Sequence, residues 1–325
     1  MLVRISRYFT YPDIKRQTPN EAFCWGRFIF TEDDANPCDF LVILDQPKAP
    51  ISTDVPPNRI IHISQEPPNE IAGYRQFGNK KVAHRFGQIK HPQITFSHGA
   101  LPWHIDVNYD TLQQTKPEDL HKTNEVVWVT SSLNLSSGHY LRMKVVAQLQ
   151  NSFVKIYGRG IQPIDDKYTV FKSAKYVIAF ENYAHSGYWT EKIADAFLSY
   201  CLPIYFGATD IDAYFHPLSY VRLNPRSKTL LSDLQSIVDD QTWEKRLPYI
   251  IEARTDVLNK HQLFPFLVDK MEAILASEKQ PNVPQRVEIP GGSAYFDNIP
   301  LSIRLQKIWV RLQYKWYAIT KSRKL

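Results

Sequence analysis

Cysteine is scarce in this chain. Three cysteines (Cys24, Cys38 and Cys201) stand among 325 residues, and none belongs to a CxxC pair. So small and scattered a set excludes a disulfide framework and a cysteine-rich metal site. Cys24 and Cys38 could still pair with each other, but we favour free thiols in a reducing compartment.

Long apolar runs are missing as well. A membrane-spanning helix needs roughly 20 consecutive apolar residues, and no segment of the chain approaches that length. The opening residues MLVRISRYF carry Arg4 and Arg7 where a signal peptide or an anchor would need an uninterrupted apolar stretch. We therefore expect a cytoplasmic protein without a signal peptide or a spanning segment.

Acidic residues are missing from one segment, residues 301–325. The segment holds seven of the 39 basic residues, which leaves 32 basic against 33 acidic residues in a nearly neutral remainder. Its apolar residues, such as Leu305 and Leu312, fall on one helical arc flanked by arginine and lysine. We interpret it as a basic amphipathic helix that holds the protein to an anionic membrane surface, at the inner face of the cytoplasmic membrane. The alternative is a closing helix packed on the first half of the chain.

Short apolar runs rich in β-branched residues recur along the chain and predict strands. In the first half they are separated by proline-rich connections such as DQPKAPISTDVPPN. In the second half they alternate with helical periods, in the order EVVWVTSS, HYLRMKVVAQLQ, FVKIYG, DDKYTVFKSA, KYVIAFEN, WTEKIADAFLSY and LPIYFG. This order predicts βαβ units and a parallel sheet covered by helices. We place one α/β domain at 1–115, a second at 116–280 and the basic tail at 281–325.

The connection FENYAHSGYWTEK, from Phe180 to Lys192, joins a predicted strand to a predicted helix. It contains carboxylates, an amide, a histidine, several aromatic rings and a lysine, which are the groups that a polar ligand needs. In open α/β sheets, ligands bind beside the carboxyl ends of the strands. We therefore expect a binding site at this connection.

The segment from about Lys175 to Asn224 resembles the donor-binding motif of family-10 α1,3/α1,4-fucosyltransferases. The matching residues are Phe180, Glu181, Asn182, Tyr188, Thr190, Glu191, Lys192, Pro203, Tyr205 and Gly207. The spacing from Asn182 to Glu191 resembles that of bacterial members. The chain departs from the family pattern at Tyr183, where a serine or threonine is usual, and at Trp189, where an aliphatic residue is usual.

Two further segments are similar to that family. VTSSLNLSSGHYLRMKVVAQL resembles its strand–loop–helix segment and has Arg142 at the position of a phosphate-binding arginine. ISQEPP resembles the loop of its candidate catalytic carboxylate and contains Glu66. The resemblance implies catalytic roles for Glu66, Arg142 and Lys192. It implies a donor-binding set of Arg142, Glu181, Asn182, Tyr188, Thr190, Glu191 and Lys192.

The resemblance also implies a fold and an activity. The fold is α/β, with two Rossmann-like domains that face each other across a cleft (GT-B type), followed by the C-terminal amphipathic basic helix. The activity is the inverting transfer of fucose from GDP-fucose to a GlcNAc- or Glc-containing surface glycan such as lipopolysaccharide, in α1,3 or α1,4 linkage. No metal or other cofactor is required in this scheme, because side-chain cations can balance the charge of the diphosphate.

Several alternatives remain open at this stage. His98, Trp103 and His104 form a conceivable acceptor platform, and the competing interpretation is two loop histidines beside a buried tryptophan. The Asp210-x-Asp212 pair is typical of metal-dependent sugar transferases, but we favour a helix cap. The chain could use another nucleotide sugar, or could be a non-catalytic glycan- or polyanion-binding protein on the same fold. Since the basic surplus belongs to the tail and no nucleic-acid-binding module is present, we expect no nucleic-acid partner.

Overall fold

The computed structural model describes most of the chain. The described residues are 1–68, 81–133, 137–279 and 283–292, together with Leu301, Leu305, Ile308, Trp309 and Leu312. The basic residues of the predicted tail helix lie outside them.

The first half of the chain forms a seven-stranded sheet. Its strands are β1 (Leu2–Arg7), β2 (Cys24–Trp25), β3 (Phe28–Thr31), β4 (Phe40–Leu44), β6 (Ile60–Ile63), β7 (His84–Gly87) and β8 (Thr95–Phe96), in the order β2-β3-β1-β4-β6-β7-β8. Among the described strands of this sheet, β2 and β3 pair antiparallel and the other neighbours pair parallel. The sequence FLVIL of β4 is buried along its whole length, because a central parallel strand is covered on both faces.

The second half forms a five-stranded parallel sheet. Its strands are β9 (Thr123–Val129), β10 (Lys155–Tyr157), β11 (Ala174–Phe180), β12 (Leu202–Phe206) and β13 (Val221–Arg222), in the order β10-β9-β11-β12-β13. All four neighbouring pairs are parallel. The largely parallel pairing in both sheets confirms the predicted α/β fold.

Seven α-helices are described. They are α1 (Tyr109–Gln114), α2 (Ser137–Leu149), α3 (Tyr168–Phe171), α4 (Glu191–Leu198), α5 (Leu230–Asp239), α6 (Thr242–Asp256) and α7 (Leu263–Ser277). A π-helical turn, Val257–His261, precedes α7, and the short 3-10 turns are Lys15–Gln17, Pro19–Glu21, Pro57–Arg59, Pro117–Asp119, Ile211–Ala213 and Pro217–Ser219. Helix α4 is strongly amphipathic, and its apolar face is buried on the second sheet.

Helix α7 returns to the first half of the molecule. Its side chains Phe264, Leu267 and Met271 are buried in one core cluster with Val3 and Ile5 of β1. The predicted boundary at residue 280 assigns α7 to the second domain, whereas its apolar face packs on the first sheet. The sequence could not indicate this, because helical periodicity shows that a face is buried but not against which partner.

The beginning of the predicted tail is a strand. β14 (Gln285–Ile289) pairs antiparallel with β5 (Ile51–Val55), a connection that the proline-rich sequence had suggested was irregular. Val287 and Ile289 are buried there against side chains of the first half, in a small core cluster that is separate from the two larger ones. Among the described helices, none combines the length and apolarity that crossing a bilayer requires. All three cysteines are free thiols, as predicted.

Candidate active site

A cavity of about 750 Å³ lies at the carboxyl ends of β9 and β11. Both halves of the chain contribute to its wall. The lining residues are Tyr11, His104, Val129, Thr130, Ser131, Ser132, Leu133, His139, Arg142, Gly158, Arg159, Ile164, Asp165, Lys167, Phe180, Asn182, Glu191 and Lys192. Its position agrees with the rule that parallel sheets bind ligands beyond the ends of their strands.

Arg142, on α2, is a buried cation at this cavity. Its side chain donates to Asn182 Oδ1 at 2.6 Å and to the backbone oxygens of Ser131 at 3.0 Å and Leu133 at 2.7 Å. These partners are neutral, and among the described residues no carboxylate pairs with the guanidinium. Burial lowers the pKa of Arg142 to about 10, so it remains charged at neutral pH. A buried, uncompensated cation that borders an open cavity favours an anionic ligand.

A glycine that sequence reasoning overlooked brings Arg142 and Asn182 together. A Cβ at Gly138 would lie 1.5 Å from the backbone oxygen of Asn182, so only glycine lets the first turn of α2 approach the end of β11 this closely. The glycine stands four residues before Arg142, on the same face of the helix. The close approach therefore sets the distance between the guanidinium and its amide partner.

Lys192 lies at the start of α4, between two carboxylates. Its Nζ is 3.2 Å from Glu181 Oε2 and 3.1 Å from Glu191 Oε1, and it donates to Thr190 Oγ1 at 2.9 Å. Burial alone would lower the pKa of Lys192, but Glu181 and Glu191 outweigh it and raise the pKa above its ordinary value. The ammonium is therefore held permanently charged. The pKa of His139 is lowered to about 4 by burial and by the positive charges of Arg142 and Lys192.

Glu181 lies behind the cavity and not on its wall. It is fully buried and accepts hydrogen bonds from Thr190 N at 2.8 Å and Thr190 Oγ1 at 2.9 Å. Burial raises the pKa of Glu181, and Lys192 opposes that shift. Thr190 is the N-cap of α4, so this carboxylate fixes the helix start and the lysine that follows.

Glu191 does line the cavity and belongs to a second charge cluster. Its Oε1 lies 3.9 Å from Lys167 Nζ and 4.0 Å from His104 Nδ1. Burial would raise the pKa of Glu191, but Lys192, His104 and Lys167 together lower it, so the carboxylate is ionised at neutral pH. It can accept hydrogen bonds from ligand hydroxyls.

Asp195 connects the two halves of the site. It is fully buried, accepts from Lys167 Nζ at 2.7 Å and accepts from the backbone N–H of His104 at 2.9 Å. Sequence reasoning missed both Lys167 and Asp195. Asp195 stands on an otherwise apolar helix face. Because a carboxylate is almost never buried there without a partner, this position in the sequence could have indicated that Asp195 is paired.

Of the predicted donor-binding residues, four line the cavity and three lie behind it. Arg142, Asn182, Glu191 and Lys192 are on the wall. Glu181, Thr190 and Tyr188 are buried, the last with 4% of its surface exposed. The pKa of Tyr188 is raised well above its ordinary value by burial and then by Glu181, Glu191 and Glu66. Glu181, Thr190 and Tyr188 therefore lie behind the cavity, where they support the FENYAHSGYWTEK connection.

Glu66 lies in a second, smaller cavity of about 290 Å³. This cavity is lined by Arg7, Tyr8, Phe9, Tyr11, Pro12, Leu44, Asp45, Gln65, Glu66, Leu101, Pro102 and His104. Tyr11 and His104 also line the larger cavity, so the two cavities are neighbours. Among the described residues, none forms an ion pair with the Glu66 carboxylate.

Asp45 holds the loop that carries Glu66. Its Oδ1 accepts from the backbone N–H of Gln65 at 2.7 Å and of Glu66 at 3.1 Å. Asp45 itself adopts φ of +56°, a left-handed conformation that costs energy for a residue with a side chain. Sequence reasoning missed this residue. Its position directly after β4, at the carboxyl end of a buried parallel strand, could have indicated that Asp45 belongs to a site.

Two of the three predicted acceptor residues are packing residues. Trp103 is 1% exposed in the second core, and its indole N–H donates to Val107 O at 3.0 Å. His98 stacks on Trp189 with 4.7 Å between ring centroids and lines a separate cavity. His104 alone of the three borders the site. The alternative of a buried tryptophan therefore describes Trp103 correctly.

The predicted helix cap at the Asp210-x-Asp212 pair is wrong, because both carboxylates have other partners. Asp210 makes no cap hydrogen bond and accepts from Gly187 N at 2.7 Å, inside the FENYAHSGYWTEK connection. Asp212 pairs with Arg222 at 2.7 Å. Within the described part of the chain, no group of three or more His, Cys, Asp or Glu side chains is arranged to hold a metal ion.

The fold and the site define an α/β protein with two largely parallel sheets and a cavity lined by several cationic side chains. Residues 120–246 match the family model of the glycosyltransferase family 10 (fucosyltransferase) C-terminal domain. This match covers 127 of the 325 residues and confirms the resemblance seen in the sequence. The alpha-(1,3)-fucosyltransferase FucT of Helicobacter pylori is 36% identical over 61 residues. Those residues are 19% of this chain and only 13% of that relative.

Solved structures of similar architecture include glycosyltransferases. An α1,3-fucosyltransferase crystal structure has 14% identity and a TM-score of 0.47, with 87% of this chain and 91% of that chain covered. A crystal structure of an α1,3-fucosyltransferase with GDP-fucose has 14% identity and a TM-score of 0.42, with 88% of this chain and 93% of that chain covered. A glycosyltransferase from Rickettsia africae ESF-5 has 11% identity and a TM-score of 0.46, covering 85% and 99%.

Proposed function

We propose that the protein is an inverting glycosyltransferase that moves L-fucose from GDP-fucose to a hydroxyl of a glycan. One observation supports this most strongly: two cations from different helices, Arg142 and Lys192, line one cavity, and both lie in the segment that matches the family-10 model. A nucleotide diphosphate sugar carries its charge on the pyrophosphate, and a cation on each side can bind it. The acceptor in this proposal is a GlcNAc- or Glc-containing surface glycan such as lipopolysaccharide, joined in α1,3 or α1,4 linkage.

The cations contribute to the chemical step as well as to binding. As the bond between the sugar and the diphosphate breaks, negative charge develops on the leaving GDP. Arg142 offers a planar fork that can bind two oxygens, while Lys192 is a point charge. Both are held in place by partners that need not move, Asn182 for the first and Glu181 for the second. Such preorganised charge lowers the barrier without the cost of reorienting solvent.

Glu66 is the base in this mechanism. Its carboxylate takes the proton of the acceptor hydroxyl, the oxygen attacks the anomeric carbon of fucose from the face opposite the diphosphate, and GDP leaves with the bonding electrons. Atoms balance as one glycosidic bond formed, one sugar–phosphate bond broken and one proton moved to Glu66. The cavity of Glu66 adjoins that of the cations through Tyr11 and His104, as this geometry needs.

Glu191 and Asn182 orient the donor. The ionised Glu191 carboxylate lines the cavity and can accept from ribose or fucose hydroxyls. Asn182 presents its amide to the same space while its oxygen accepts from Arg142. These neutral and anionic contacts recognise hydroxyls, while the two cations recognise phosphate.

The test of this function is a donor screen. The full chain is incubated with GDP-fucose, GDP-mannose and UDP-sugars, with and without glycan acceptors, and nucleotide release is measured. We expect release with GDP-fucose, and loss of orders of magnitude in Lys192→Ala. The matched control is Lys155→Ala, which removes an exposed lysine paired with Glu125. Release only with another nucleotide sugar would replace fucose in the proposal, and no binding of any would favour a non-catalytic binding protein.

We also propose that the tail attaches the protein to anionic membranes at the inner face of the cytoplasmic membrane. Leu301, Leu305, Ile308, Trp309 and Leu312 are helical in conformation and 54–71% exposed. Their spacing puts them on one face of a helix, and the sequence around them contains seven basic and no acidic residues. Exposed apolar side chains within so basic a sequence match the interface of an anionic bilayer.

Vesicle sedimentation tests this attachment. We expect binding to phosphatidylglycerol vesicles that salt weakens, little binding to phosphatidylcholine vesicles, and loss of binding in Leu305→Glu/Trp309→Glu. Leu231→Glu, at an exposed leucine of α5, is the matched control. Unchanged sedimentation of the double variant would count against a membrane role for this segment.

A further inference from the structure

We infer that Lys167 and Asp195 are positioning residues for the proposed glycosyl transfer, because this buried pair joins the Glu191 carboxylate of the second half to His104 of the first half. The inference rests on the proposed function. It goes further by assigning a role to two residues that are outside the matched donor-binding set. The role requires neither of them to touch the reacting atoms.

Asp195 is the centre of this arrangement. Helix α4 buries its carboxylate completely, and the two oxygens have partners on different sides. Oδ2 accepts from Lys167 Nζ at 2.7 Å, while Oδ1 accepts from the backbone N–H of His104 at 2.9 Å. A buried carboxylate is costly unless it is both paired and hydrogen-bonded. A cation of the second half and an amide of the first half meet that need together, so one side chain ties the two halves.

Lys167 connects this carboxylate to the large cavity. It directly precedes α3, lines the cavity of 750 Å³ and has a side chain that is 21% exposed. Its Nζ lies 3.9 Å from Glu191 Oε1 in addition to its contact with Asp195. Burial would lower the pKa of Lys167, but Asp195 and Glu191 outweigh it and raise the pKa. One permanently charged ammonium therefore holds a carboxylate on the cavity wall to a carboxylate behind it.

His104 is the partner of this pair in the first half of the chain. It lines both the large cavity and the smaller one, and its Nδ1 lies 4.0 Å from Glu191 Oε1. A second contact runs beside it, in which the backbone N–H of Asp106 donates to Asp166 Oδ1 at 2.9 Å. Asp166 is the neighbour of Lys167, so one short stretch of the second half holds residues 104–106. The distance between the imidazole and the Glu191 carboxylate is thereby fixed.

The pKa of His104 reports on this arrangement. Burial lowers it, four charged side chains also face the imidazole, and the neutral ring of Tyr11 packs edge to face on it. The four are Glu191 and Asp195, which raise the pKa, and Lys167 and Lys192, which lower it. Removing the charge of Lys167 should therefore raise the pKa of His104, whereas removing that of Asp195 should lower it. A mere loosening of the packing would move the pKa upward in both cases, because less burial brings it back toward its ordinary value.

The first test is an NMR titration of the His104 imidazole in the full chain without donor. We expect the pKa of His104 to rise in Lys167→Met and to fall in Asp195→Asn. Lys175→Met, which should leave it unchanged, is the matched control. That lysine has a side chain 15% exposed, is paired with Glu244 and stands at the amino end of β11, opposite the end that borders the cavity. Shifts in the same direction in Lys167→Met and Asp195→Asn would overturn the inference.

The second test measures nucleotide release from GDP-fucose. For Lys167→Met we expect kcat about tenfold lower and a GDP-fucose KM changed by less than about threefold, because Arg142 and Lys192 still bind the diphosphate. Lys167→Arg, which keeps the charge, should recover most of the rate. The double variant Lys167→Met/Asp195→Asn leaves no buried charge without a partner, so it provides a folded comparison if a single variant is unstable.

The two tests separate this inference from the proposed function. A folded double variant with the kcat of the wild type would overturn the positioning role and leave the donor function standing. A GDP-fucose KM that rises as much as kcat falls would also overturn it, because the pair would then act in donor binding. A wild-type chain that neither binds nor hydrolyses GDP-fucose would instead remove the proposed function, and the titration of His104 does not depend on that result.

Discussion

Replacing Arg142 by alanine tests the proposed diphosphate site most directly. Arg142 is 4% exposed and borders the cavity, and its guanidinium has only neutral partners in the described part of the chain. Its positive charge is therefore available to a bound anion and is not already neutralised by the protein. We expect Arg142→Ala to lose a factor of roughly 10²–10³ in turnover, which is typical when one preorganised group that stabilises developing charge is removed.

The same substitution has a calculable cost in stability. Arg142 donates to Asn182, Ser131 and Leu133, and a hydrogen bond of this kind contributes about 0.5–1.5 kcal/mol net. Because the three acceptors lie beside an open cavity, water can replace the lost donor and reduce the penalty. We expect the free energy of unfolding to fall by about 1–3 kcal/mol, so the variant should still fold.

The assay compares two substitutions at this position. Arg142→Lys keeps a positive charge but loses the planar fork, and we expect it to recover only part of the lost rate. Nucleotide release at saturating GDP-fucose reports turnover, and urea unfolding reports stability. Near-normal turnover in a folded Arg142→Ala variant would refute the role of this cation in the reaction. A lysine variant as active as the wild type would show that charge alone, without the fork, is sufficient.

Three other predictions concern the first half and the pH dependence. Glu66→Gln should abolish transfer but spare GDP-fucose binding measured by calorimetry, so lost donor affinity would count against its role as base. Asp45→Ala should lower kcat more than the donor affinity, because the N–H groups of Gln65 and Glu66 lose their acceptor; an unchanged kcat would contradict this positioning role. Burial lowers the pKa of His62 and His261 to about 4 from an ordinary 6.5. Between these values the unfolded chain binds more protons, so unfolding free energy should fall by about 1.4 kcal/mol per pH unit for each histidine as pH drops from 6.5 to 4. Urea midpoints that stay constant over this range would contradict it.

The sequence by itself determined the local helices and strands, and it identified Arg142 and Lys192 as the candidate cations of the site. The alternation of buried strands with helical periods predicted β9, α2, β11, α4 and β12, because each period depends only on neighbouring residues. The position of the FENYAHSGYWTEK connection after a buried strand also placed Asn182 and Lys192 at the carboxyl end of a sheet. Arg142 was identified from a sequence motif, and the spacing of that motif also depends only on neighbouring residues.

Only the tertiary structure decided which of these side chains line the cavity. Glu181 and Lys192 belong to the same connection, yet one is fully buried behind the cavity and the other lines it. Asp195 contacts the backbone of His104 from 91 positions away in sequence. Burial and contacts between distant segments depend on how the halves pack, which no local period encodes. For the same reason α7 reads as part of the second half although its apolar face fills the core of the first.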